Sequence, residues 1–424
     1  MGPTVLRQAS SAAAFALLAC SAAHAGSAGP AVIDDAQLAR QVATARARFL
    51  AQQPFDRFDV AVLVRDGARW RRGSFGGERL AYPASCVKLG YLVGAVHWCA
   101  AQGLQPDCLD ASVRPMIVDS DNVATGVVVD QLSGVVNVAD ANAAGFEAWL
   151  SARRYTERVL ESYGLLGAQR LLTKTYPTNS SADPQGFEAR ALKDAGRNAM
   201  SPDLAAQLML GIVSGRVEPQ ATRYMRGLLT RDRFSGHSGF GAGLPPGSSY
   251  QNKVGTAFDT LQDIAWARLP NGRELIIAGF SNGWDQNEPE PRDVLRLGGF
   301  AELLLAELGL DRSLPFHRTV NARLRAGELS WSLPVPRSGL YELVLWYDAD
   351  PANTSSAQYR VPAANGRQLI SYDQRTWGRR WLPLGQYEFA RGRAIVRAES
   401  TSSGKLAGGR IRISRVPAMD ARGE

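Results

Sequence analysis

The sequence has 424 residues, a formal net charge of +8 and 45% hydrophobic residues. This length favours two domains over one, and the composition is that of a folded globular protein. Beyond residue 30 no stretch reaches the roughly 20 apolar residues of a membrane-spanning helix, which argues against an integral membrane protein. The arginines are dispersed rather than clustered, so the positive charge indicates no nucleic-acid surface.

The N-terminus has the pattern of an export signal. Arg7 precedes an apolar run over residues 12–20, and Ala23-His24-Ala25 is a small-x-small cleavage site. Residues 1–25 are therefore predicted to be a signal peptide. Residues 17–20 also resemble a lipobox, in which Cys20 would be lipidated after cleavage. Both alternatives predict an exported protein, either periplasmic or extracellular.

Three cysteines remain after the signal, and an oxidising compartment permits one disulfide bond among them. Cys99 and Cys108 close the shortest loop and are the predicted pair. Cys86 is predicted to be a buried small hydrophobe rather than a reactive thiol. No metal site is predicted, because the histidines after the signal show no ligand spacing; they are His97, His237 and His317.

Residues 26–312 combine helical and strand-like periodicity. Helices are predicted over residues 35–52, 85–102, 122–132, 139–166, 202–214 and 300–308. Strands are predicted over residues 58–64, 250–257, 260–268 and 274–280, with an Asn271-Gly272 turn before the last strand. Residues 171–194 lose periodicity, and residues 235–249 form a glycine-rich loop. A strand, then helices, then an antiparallel meander predict an α+β domain whose strands share one sheet.

Residues 313–424 have a different texture. Short strands are predicted over residues 329–333, 341–347, 358–361, 368–372, 387–389, 394–398 and 410–413. Regularly spaced short strands separated by turn residues are typical of a β-sandwich or barrel. The tail is therefore predicted to be a second, all-β domain.

Three short motifs carry residues suited to acyl transfer: Ser85-Cys86-Val87-Lys88, Ser120-Asp121-Asn122 and Lys253-Val254-Gly255-Thr256. Ser85 and Lys88 lie three residues apart at the start of a helix, so their side chains share a face. A neighbouring lysine can deprotonate a serine if burial and another cation lower its pKa. Lys253 is predicted to be that cation.

The other motif residues complete the expected chemistry. Ser120 is predicted to relay a proton to the leaving group, and Asn122 to bind the substrate amide and hold the lysine base. Gly255 lets the strand backbone approach the substrate, and the Thr256 N–H joins that of the nucleophile in an oxyanion hole. Each motif alone has an ordinary interpretation as a helix cap, a turn or a solvated strand. The ordered set is more specific, because two of only five lysines stand at the required positions.

At these residues the sequence resembles the class A β-lactamase-like serine hydrolases, relatives of the penicillin-binding proteins. The likeness includes Tyr82-Pro83-Ala84 before the nucleophile and residues 241–245 before the Lys253 strand. It implies an antiparallel sheet flanked by helices, with a helical subdomain, over residues 26–312. It also implies an acyl-enzyme on Ser85, with Lys88 as base, and requires no cofactor.

One departure from this family concerns deacylation. Tyr176 stands where the family has a Glu that activates the deacylating water, and tyrosine is a poor base near neutral pH. Glu157 and Glu161 are predicted to lie on a helix surface and Glu188 in the irregular loop, and none is assigned the missing role. Without that base, a β-lactam is expected to be trapped as an acyl-enzyme.

A second departure concerns the substrate carboxylate. Val254 stands where the family has a hydroxyl that binds this carboxylate. Either Thr256 supplies the hydroxyl instead, or the carboxylate is not recognised. Peptidase, transpeptidase and esterase activities therefore compete with β-lactam hydrolysis as interpretations.

Residues 338–416 resemble the golvesin or xanthan-lyase carbohydrate-binding-like domain. The likeness rests on residues 339–343, 357–372 and 381–387. It implies that the C-terminal domain binds a cell-envelope polymer. Trp377 and Trp381 would stack on sugar rings if exposed, and the ordinary alternative for each is a place in the core.

The sequence therefore supports three functions. The first is an exported serine hydrolase acting on β-lactams or related amides, and the second a penicillin-binding-type peptidase or esterase on cell-wall peptides or esters. The third is a non-enzymatic envelope-binding or β-lactam-sensing protein, against which the retention of all three motifs argues. Expected partners are a small-molecule or peptide substrate and an envelope polymer, with no nucleic acid and no transmembrane segment.

Overall fold

The computed structural model describes residues 29–172, 184–285, 293–311, 316–325, 328–363 and 366–417. The predicted signal peptide, Cys20 and Tyr176 lie outside these residues. The helices described are α1 (Ala36–Leu50), α2 (Lys88–Ala101), α3 (Asp110–Val118), α4 (Asn122–Ser133), α5 (Phe146–Arg153), α6 (Tyr155–Ser162), α7 (Gly186–Asp194), α8 (Pro202–Val213), α9 (Thr222–Leu229) and α10 (Gly298–Glu307). None of these helices is long and apolar enough to cross a membrane.

The N-terminal domain is built on one sheet. Its strands are β1 (Val32–Asp34), β2 (Phe55–Asp66), β3 (Arg69–Phe75), β4 (Ser249–Ala257), β5 (Thr260–Arg268) and β6 (Glu274–Trp284). Their order is β1-β3-β2-β6-β5-β4, and every neighbouring pair is antiparallel except β1 with β3. The predicted turn at Asn271-Gly272 joins β5 to β6, with Gly272 in the left-handed conformation that this turn requires. The single predicted sheet is confirmed, and β4 forms one of its edges.

Both faces of this sheet are buried, because successive residues of β2 enter two different cores. Val60, Val62 and Val64 pack with α1 and α10, whereas Ala61 and Leu63 pack with α2 and α8. Most residues of α2 are buried on all sides, as expected of a helix that is apolar around its whole circumference. The helix that follows Ser85 is thus the central helix of the domain.

The helical subdomain departs from the predicted pattern at three places. The helix predicted over residues 139–166 is two helices, α5 and α6. The stretch predicted to be irregular contains α7, since Phe187 and Ala191 lie four residues apart and pack against Phe146 and Trp149 of α5. The sequence pattern also does not predict α3 and α9, whose nine and eight residues give too few turns for a clear period.

The disulfide bond between Cys99 and Cys108 is present, as predicted. It ties the end of α2 to the segment that leads into α3. Cys86 is the free cysteine among the described residues and is buried, which also agrees with the prediction.

The C-terminal domain is a β-sandwich. Its strands are β7 (His317–Asn321), β8 (Arg323–Arg325), β9 (Glu328–Val335), β10 (Gly339–Tyr347), β11 (Ala357–Ala363), β12 (Gly366–Tyr372), β13 (Leu382–Phe389), β14 (Gly392–Ser400) and β15 (Gly409–Arg415). Two sheets, β13-β10-β15-β7 and β12-β11-β14-β9-β8, enclose one apolar core. All seven strands predicted from the sequence are confirmed, because alternation of the kind seen in β9 gives a clear signal.

Charged and aromatic side chains join the two domains. Trp381 is 1% exposed, stacks edge-on against Trp346 and donates from Nε1 to Oε2 of Glu302 on α10 (2.7 Å). Arg412 of β15 donates to the other oxygen of Glu302 (3.1 Å). Trp381 therefore lies between the domains, neither in the sandwich core nor in a sugar site. Trp377 is 42% exposed.

Candidate active site

Ser85 lies in a short 3-10 turn, Ala84–Val87, that leads directly into α2. Ala84 has a φ of +46°, a conformation that costs energy for an L-residue and that recurs at functional sites. Cys86 fastens this turn to β4, since its Sγ donates to Lys253 O (3.1 Å). Burial raises the pKa of the Cys86 thiol, which disfavours the reactive thiolate. The turn therefore presents Ser85, half-buried, as its nucleophilic side chain.

Gly255 is where β4 approaches this turn most closely. A Cβ at Gly255 would lie 2.5 Å from Pro83 O and 2.8 Å from Ser85 N. Backbone atoms cannot yield to such a contact, so a side chain at this position would push the strand away from the nucleophile. The glycine predicted for substrate approach thus also permits contact between the strand and the nucleophile turn.

The Ser120-Asp121-Asn122 motif forms the junction between α3 and α4. Asp121 is the N-cap of α4, and its Oδ1 accepts from Ala124 N (2.7 Å). Ser120, just before it, has a φ of +58°. This geometry directs both Ser120 and Asn122 towards Lys88.

Lys88 is fully buried beneath this junction. Its Nζ donates to Asn122 Oδ1 (2.7 Å) and to Ser120 O (2.6 Å), and lies 3.3 Å from Ser120 Oγ. Burial, and secondly the positive charge of Lys253, lower the pKa of Lys88 to about 6. Lys88 is therefore largely a neutral amine at pH 7, as a base must be.

Lys253 meets Ser120 from the opposite side. It is 2% exposed, and its Nζ donates to Ser120 Oγ (2.9 Å) and to Val254 O (2.9 Å). Burial lowers its pKa to about 8, so it remains mostly charged near neutral pH. Ser120 Oγ consequently bridges a neutral and a charged lysine, which is the arrangement that a proton relay requires.

The register of β4 decides where the Thr256 N–H points. In an antiparallel strand every second residue directs its N–H and C=O away from the paired strand. Tyr250 belongs to the outward set, since its carbonyl accepts from Arg231 N (3.1 Å) beyond the sheet edge. β4 pairs with β5 without a register shift, so Thr256 also belongs to that set. Its N–H therefore faces the edge against which the Ser85 turn packs.

The side chains of Val254 and Thr256 lie on the face of β4 opposite to the side chain of Lys253, because successive side chains of a strand alternate between its faces. Val254 is buried in the core with α1 and α10, and the side chain of Thr256 is exposed. Position 254, where the family has a hydroxyl, therefore makes a core contact in this protein instead.

Two glutamates lie elsewhere than the sequence predicts. Glu157, predicted on a helix surface, is buried, and its Oε1 accepts from Leu171 N (3.1 Å). Glu188, predicted in an irregular loop, lies in α7 and pairs with buried Arg153 (2.8 Å). Both carboxylates fasten chain segments together. Glu161 is exposed, as predicted.

The sequence analysis overlooked a buried polar network next to Lys253. Asp263 of β5 is fully buried and accepts from Asn252 Nδ2 (2.8 Å), and the Tyr250 hydroxyl lies 2.7 Å from it. Single polar residues inside an apolar strand form no motif, so this network could not be predicted from the sequence. In the described part of the chain, no group of three or more His, Cys, Asp or Glu side chains is placed to hold a metal ion.

Comparison with known families divides the chain in the same way. Residues 103–298 match the β-lactamase enzyme family, and residues 315–415 match the golvesin C-terminal domain. The chain joins a β-lactamase-like domain to a golvesin C-terminal domain. The match to the β-lactamase family includes Ser120 and Lys253, whereas Ser85 and Lys88 precede it.

Golvesin from Dictyostelium discoideum is 30% identical over 374 residues. The alignment covers 79% of this chain and 64% of golvesin, so the chain spans less than two thirds of that protein's length. Because 79% of the chain greatly exceeds the golvesin domain, the similarity extends into the β-lactamase-like domain.

Several solved structures are similar to the chain at low identity. The β-lactamase from Sphaerobacter thermophilus is 18% identical, with 64% of this chain and 98% of that chain covered and a TM-score of 0.46. A β-lactamase from Xanthomonas campestris is 16% identical, with 64% and 99% covered and a TM-score of 0.47. PBP-A is 18% identical, with 67% and 99% covered and a TM-score of 0.46.

Proposed function

We propose that this protein is an exported serine hydrolase that acts through an acyl-enzyme on Ser85, on β-lactams or related amides. The observation that carries the proposal is the chain of side-chain contacts from Lys88 through Ser120 to Lys253. Two buried lysines held on one serine hydroxyl have no evident structural purpose, since burying a cation costs energy that packing does not return. Their burial instead supplies a neutral amine and a retained positive charge next to the nucleophile turn.

In the first step, neutral Lys88 takes the proton of the Ser85 hydroxyl as Oγ attacks the substrate carbonyl. The negative charge that develops on the carbonyl oxygen meets the backbone N–H groups of Ser85 and Thr256. Lys88 then returns the proton through Ser120 Oγ to the leaving nitrogen, and the C–N bond breaks. Lys253 stays protonated throughout and lowers the energy of the anionic states.

A second candidate is a penicillin-binding-type peptidase or esterase acting on cell-wall peptides or esters. Val254 favours the ester substrates of this candidate, because it is buried in the core and offers no hydroxyl to a substrate carboxylate. Both candidates share the Ser85 acyl-enzyme and differ in how it breaks down.

Intact-protein mass spectrometry with a chromogenic penicillin tests the proposal, with Ser85→Ala as the paired variant. We expect a penicilloyl adduct on the wild-type protein and none on Ser85→Ala. An adduct that clears while ring-opened product accumulates would identify a β-lactamase, and one that persists would identify a penicillin-binding peptidase. If the wild-type protein forms no adduct with penicillins or activated esters, the proposal fails and the non-enzymatic envelope-binding alternative is favoured.

The golvesin domain is proposed to bind a cell-envelope polymer. Support comes from Trp377, which is exposed and has the Arg380 guanidinium 4.4 Å from its ring centre. An exposed aromatic ring offers a stacking surface for a sugar. Pull-down on isolated cell-wall material, with Trp377→Ala as the comparison, tests this role; equal binding by both proteins would remove Trp377 from it.

A further inference from the structure

A cavity of about 160 Å³ lies at the contact between the two domains. On one side it is lined by Glu302, Leu305 and Ala306 of α10, whose spacing of three and four residues places them on one face of the helix. The other side is lined by residues of β15 and β7 in the golvesin domain. Both domains therefore contribute to the walls of this cavity.

The strand register directs the golvesin side chains into the cavity. Ile411 and Ile413 of β15 point into the sandwich core, so the residues that alternate with them point outwards. β15 pairs with β7 without a register shift, and residues opposite each other in such a pair share a face. The outward side chains that line the cavity are those of Arg412 and Ser414 on β15 and of Thr319 and His317 on β7.

Two buried polar atoms of the lining residues are left unsatisfied. Arg412 is 5% exposed and donates from Nη1 to Glu302 Oε1 (3.1 Å), but its Nη2 has no hydrogen-bond partner among the described residues. Asp311, which also lines the cavity, has a buried Oδ1 that likewise lacks a partner there. Because an unmade hydrogen bond at a buried polar atom destabilises the fold, these atoms indicate a ligand that supplies both an acceptor and a donor.

The charge of the lining favours a neutral ligand. The carboxylates of Glu302 and Asp311 balance the guanidinium groups of Arg412 and Arg415, which leaves no excess charge to attract a phosphate or an ammonium group. A hydroxyl group both donates and accepts, so two hydroxyls of one molecule satisfy Arg412 Nη2 and Asp311 Oδ1.

The size and the apolar part of the lining favour a single ring. A cavity of about 150 Å³ in another protein holds one molecule of benzene, so this cavity has room for one six-membered ring. Pro245, Pro246 and Leu305 supply an apolar wall beside the polar groups. A sugar ring matches this lining, because its C–H groups and its hydroxyls face in different directions.

We propose that this cavity binds one neutral pyranose sugar, with hydroxyl groups on Arg412 and Asp311. The sugar is either free or one unit of a polysaccharide. The proposal deepens the binding of an envelope polymer proposed above, on which its physiological source rests, and it uses no step of the Ser85 chemistry. Because the walls belong to two domains, a sugar bound here also holds the domains together.

Saturation-transfer NMR and calorimetric titration of the full-length protein test the site. The probes are glucose, galactose, mannose and N-acetylglucosamine, and the β-1,4-linked tetramers of glucose and of N-acetylglucosamine. We expect a dissociation constant of about 1 mM for the best free sugar, in keeping with its small number of atoms. Binding of a free sugar identifies a single unit as sufficient, and binding of a tetramer alone identifies a unit within a polymer.

Two variants and a matched control locate the binding. Arg412→Lys keeps the positive charge but loses Nη2, and should weaken binding at least about tenfold. The control is Arg410→Lys, two residues along the same face of β15 and outside this cavity, which should bind as the wild-type protein does. Ala306→Leu fills the cavity, leaves every polar group in place and should abolish binding even if Arg412→Lys disturbs the domain contact.

Two results would overturn the proposal. One is the absence of binding by the wild-type protein to every probe at about 50 mM, far above the expected dissociation constant. The other is wild-type affinity in either Arg412→Lys or Ala306→Leu. Neither result touches the Ser85 adduct or the Trp377 pull-down, which test the proposed function by themselves.

Discussion

Ser120 Oγ lies 2.9 Å from Lys253 Nζ and 3.3 Å from Lys88 Nζ, and the two lysines have different pKa values. The pKa of Lys88 falls to about 6 and that of Lys253 to about 8, in both cases mainly because of burial. A single hydroxyl thus separates a group that must be neutral from a group that must be charged. The difference between two similar side chains arises from their surroundings rather than from their chemistry.

These two pKa values predict the pH dependence of acylation. The rate should fall below a pH of about 6, where Lys88 becomes protonated and cannot act as base. It should also fall above a pH of about 8, where Lys253 loses its charge. Stopped-flow measurement of Ser85 acylation at pH values on both sides of these limits checks the prediction. A rate that stays constant through both limits would show that neither lysine titrates in this step.

The close approach of Gly255 to the nucleophile turn predicts the effect of a single substitution. Gly255→Ala would place a Cβ 2.5 Å from Pro83 O, so the edge of β4 must move away from the nucleophile turn. We expect slower acylation and a loss of about 1–3 kcal/mol in the free energy of unfolding. The control is Gly227→Ala in α9, where nothing lies within 4 Å of the new Cβ and helix propensity predicts a gain of up to about 1 kcal/mol. Equal effects of the two changes in urea unfolding would contradict the argument.

At the scale of helices and strands, sequence periodicity predicted the elements that bury one long face. Of the described strands, four of the six in the β-lactamase-like domain and seven of the nine in the golvesin domain were predicted, as was α8 with its Ser201 N-cap. The elements that were not predicted are short or gain their apolar contacts from tertiary packing; they are β1, β3, β7, β8, α3, α7 and α9. The motifs likewise predicted which residues meet at Ser120, since spacing along helices and strands is regular. The contacts of Asp263 and Glu188 could not be predicted from the sequence, because their partners are distant in sequence.

The ion pairs of Arg153 give a prediction about α5 and α7. Arg153 is 2% exposed and donates to Asp130 (2.6 Å) and Glu188 (2.8 Å). Arg153→Ala would remove the buried guanidinium that Asp130 and Glu188 share, which we expect to cost about 3–5 kcal/mol in the free energy of unfolding. The exposed pair of Arg114 with Asp110 is the control, and Arg114→Ala should leave the free energy of unfolding close to the wild-type value. Urea unfolding that finds the two variants alike would refute the structural role of Arg153.

At the scale of the whole molecule, the golvesin domain is joined to the β-lactamase-like domain by paired charges. Arg233 pairs with Glu342 across the interface, and both are buried. Arg412 and Trp381 both hydrogen-bond to Glu302. Separating the domains would expose the rings of Trp346 and Trp381, but it would also allow the charged groups to be hydrated. The contact is therefore specific in orientation and of limited strength.

Trp381 tests whether the domains unfold together. Trp381→Ala removes the ring at the centre of this contact and should cost about 3–5 kcal/mol in docking. We expect calorimetry to resolve two unfolding transitions in this variant where the wild-type protein shows one. Trp377→Ala, at an exposed ring, should keep the wild-type profile. A single transition in Trp381→Ala would mean that the contact does not couple the domains.

The disulfide bond between Cys99 and Cys108 depends on whether the compartment in which the molecule folded is oxidising. The chain contains four cysteines, of which Cys20 lies in the predicted signal. A molecule that was exported, processed and oxidised retains one thiol, that of Cys86, which an alkylating reagent reaches only after unfolding. A molecule held in a reducing cytosol with its signal intact offers all four. The number of alkylated thiols in protein isolated from its own cells therefore distinguishes exported molecules, which have one, from molecules retained in the cytosol, which have four.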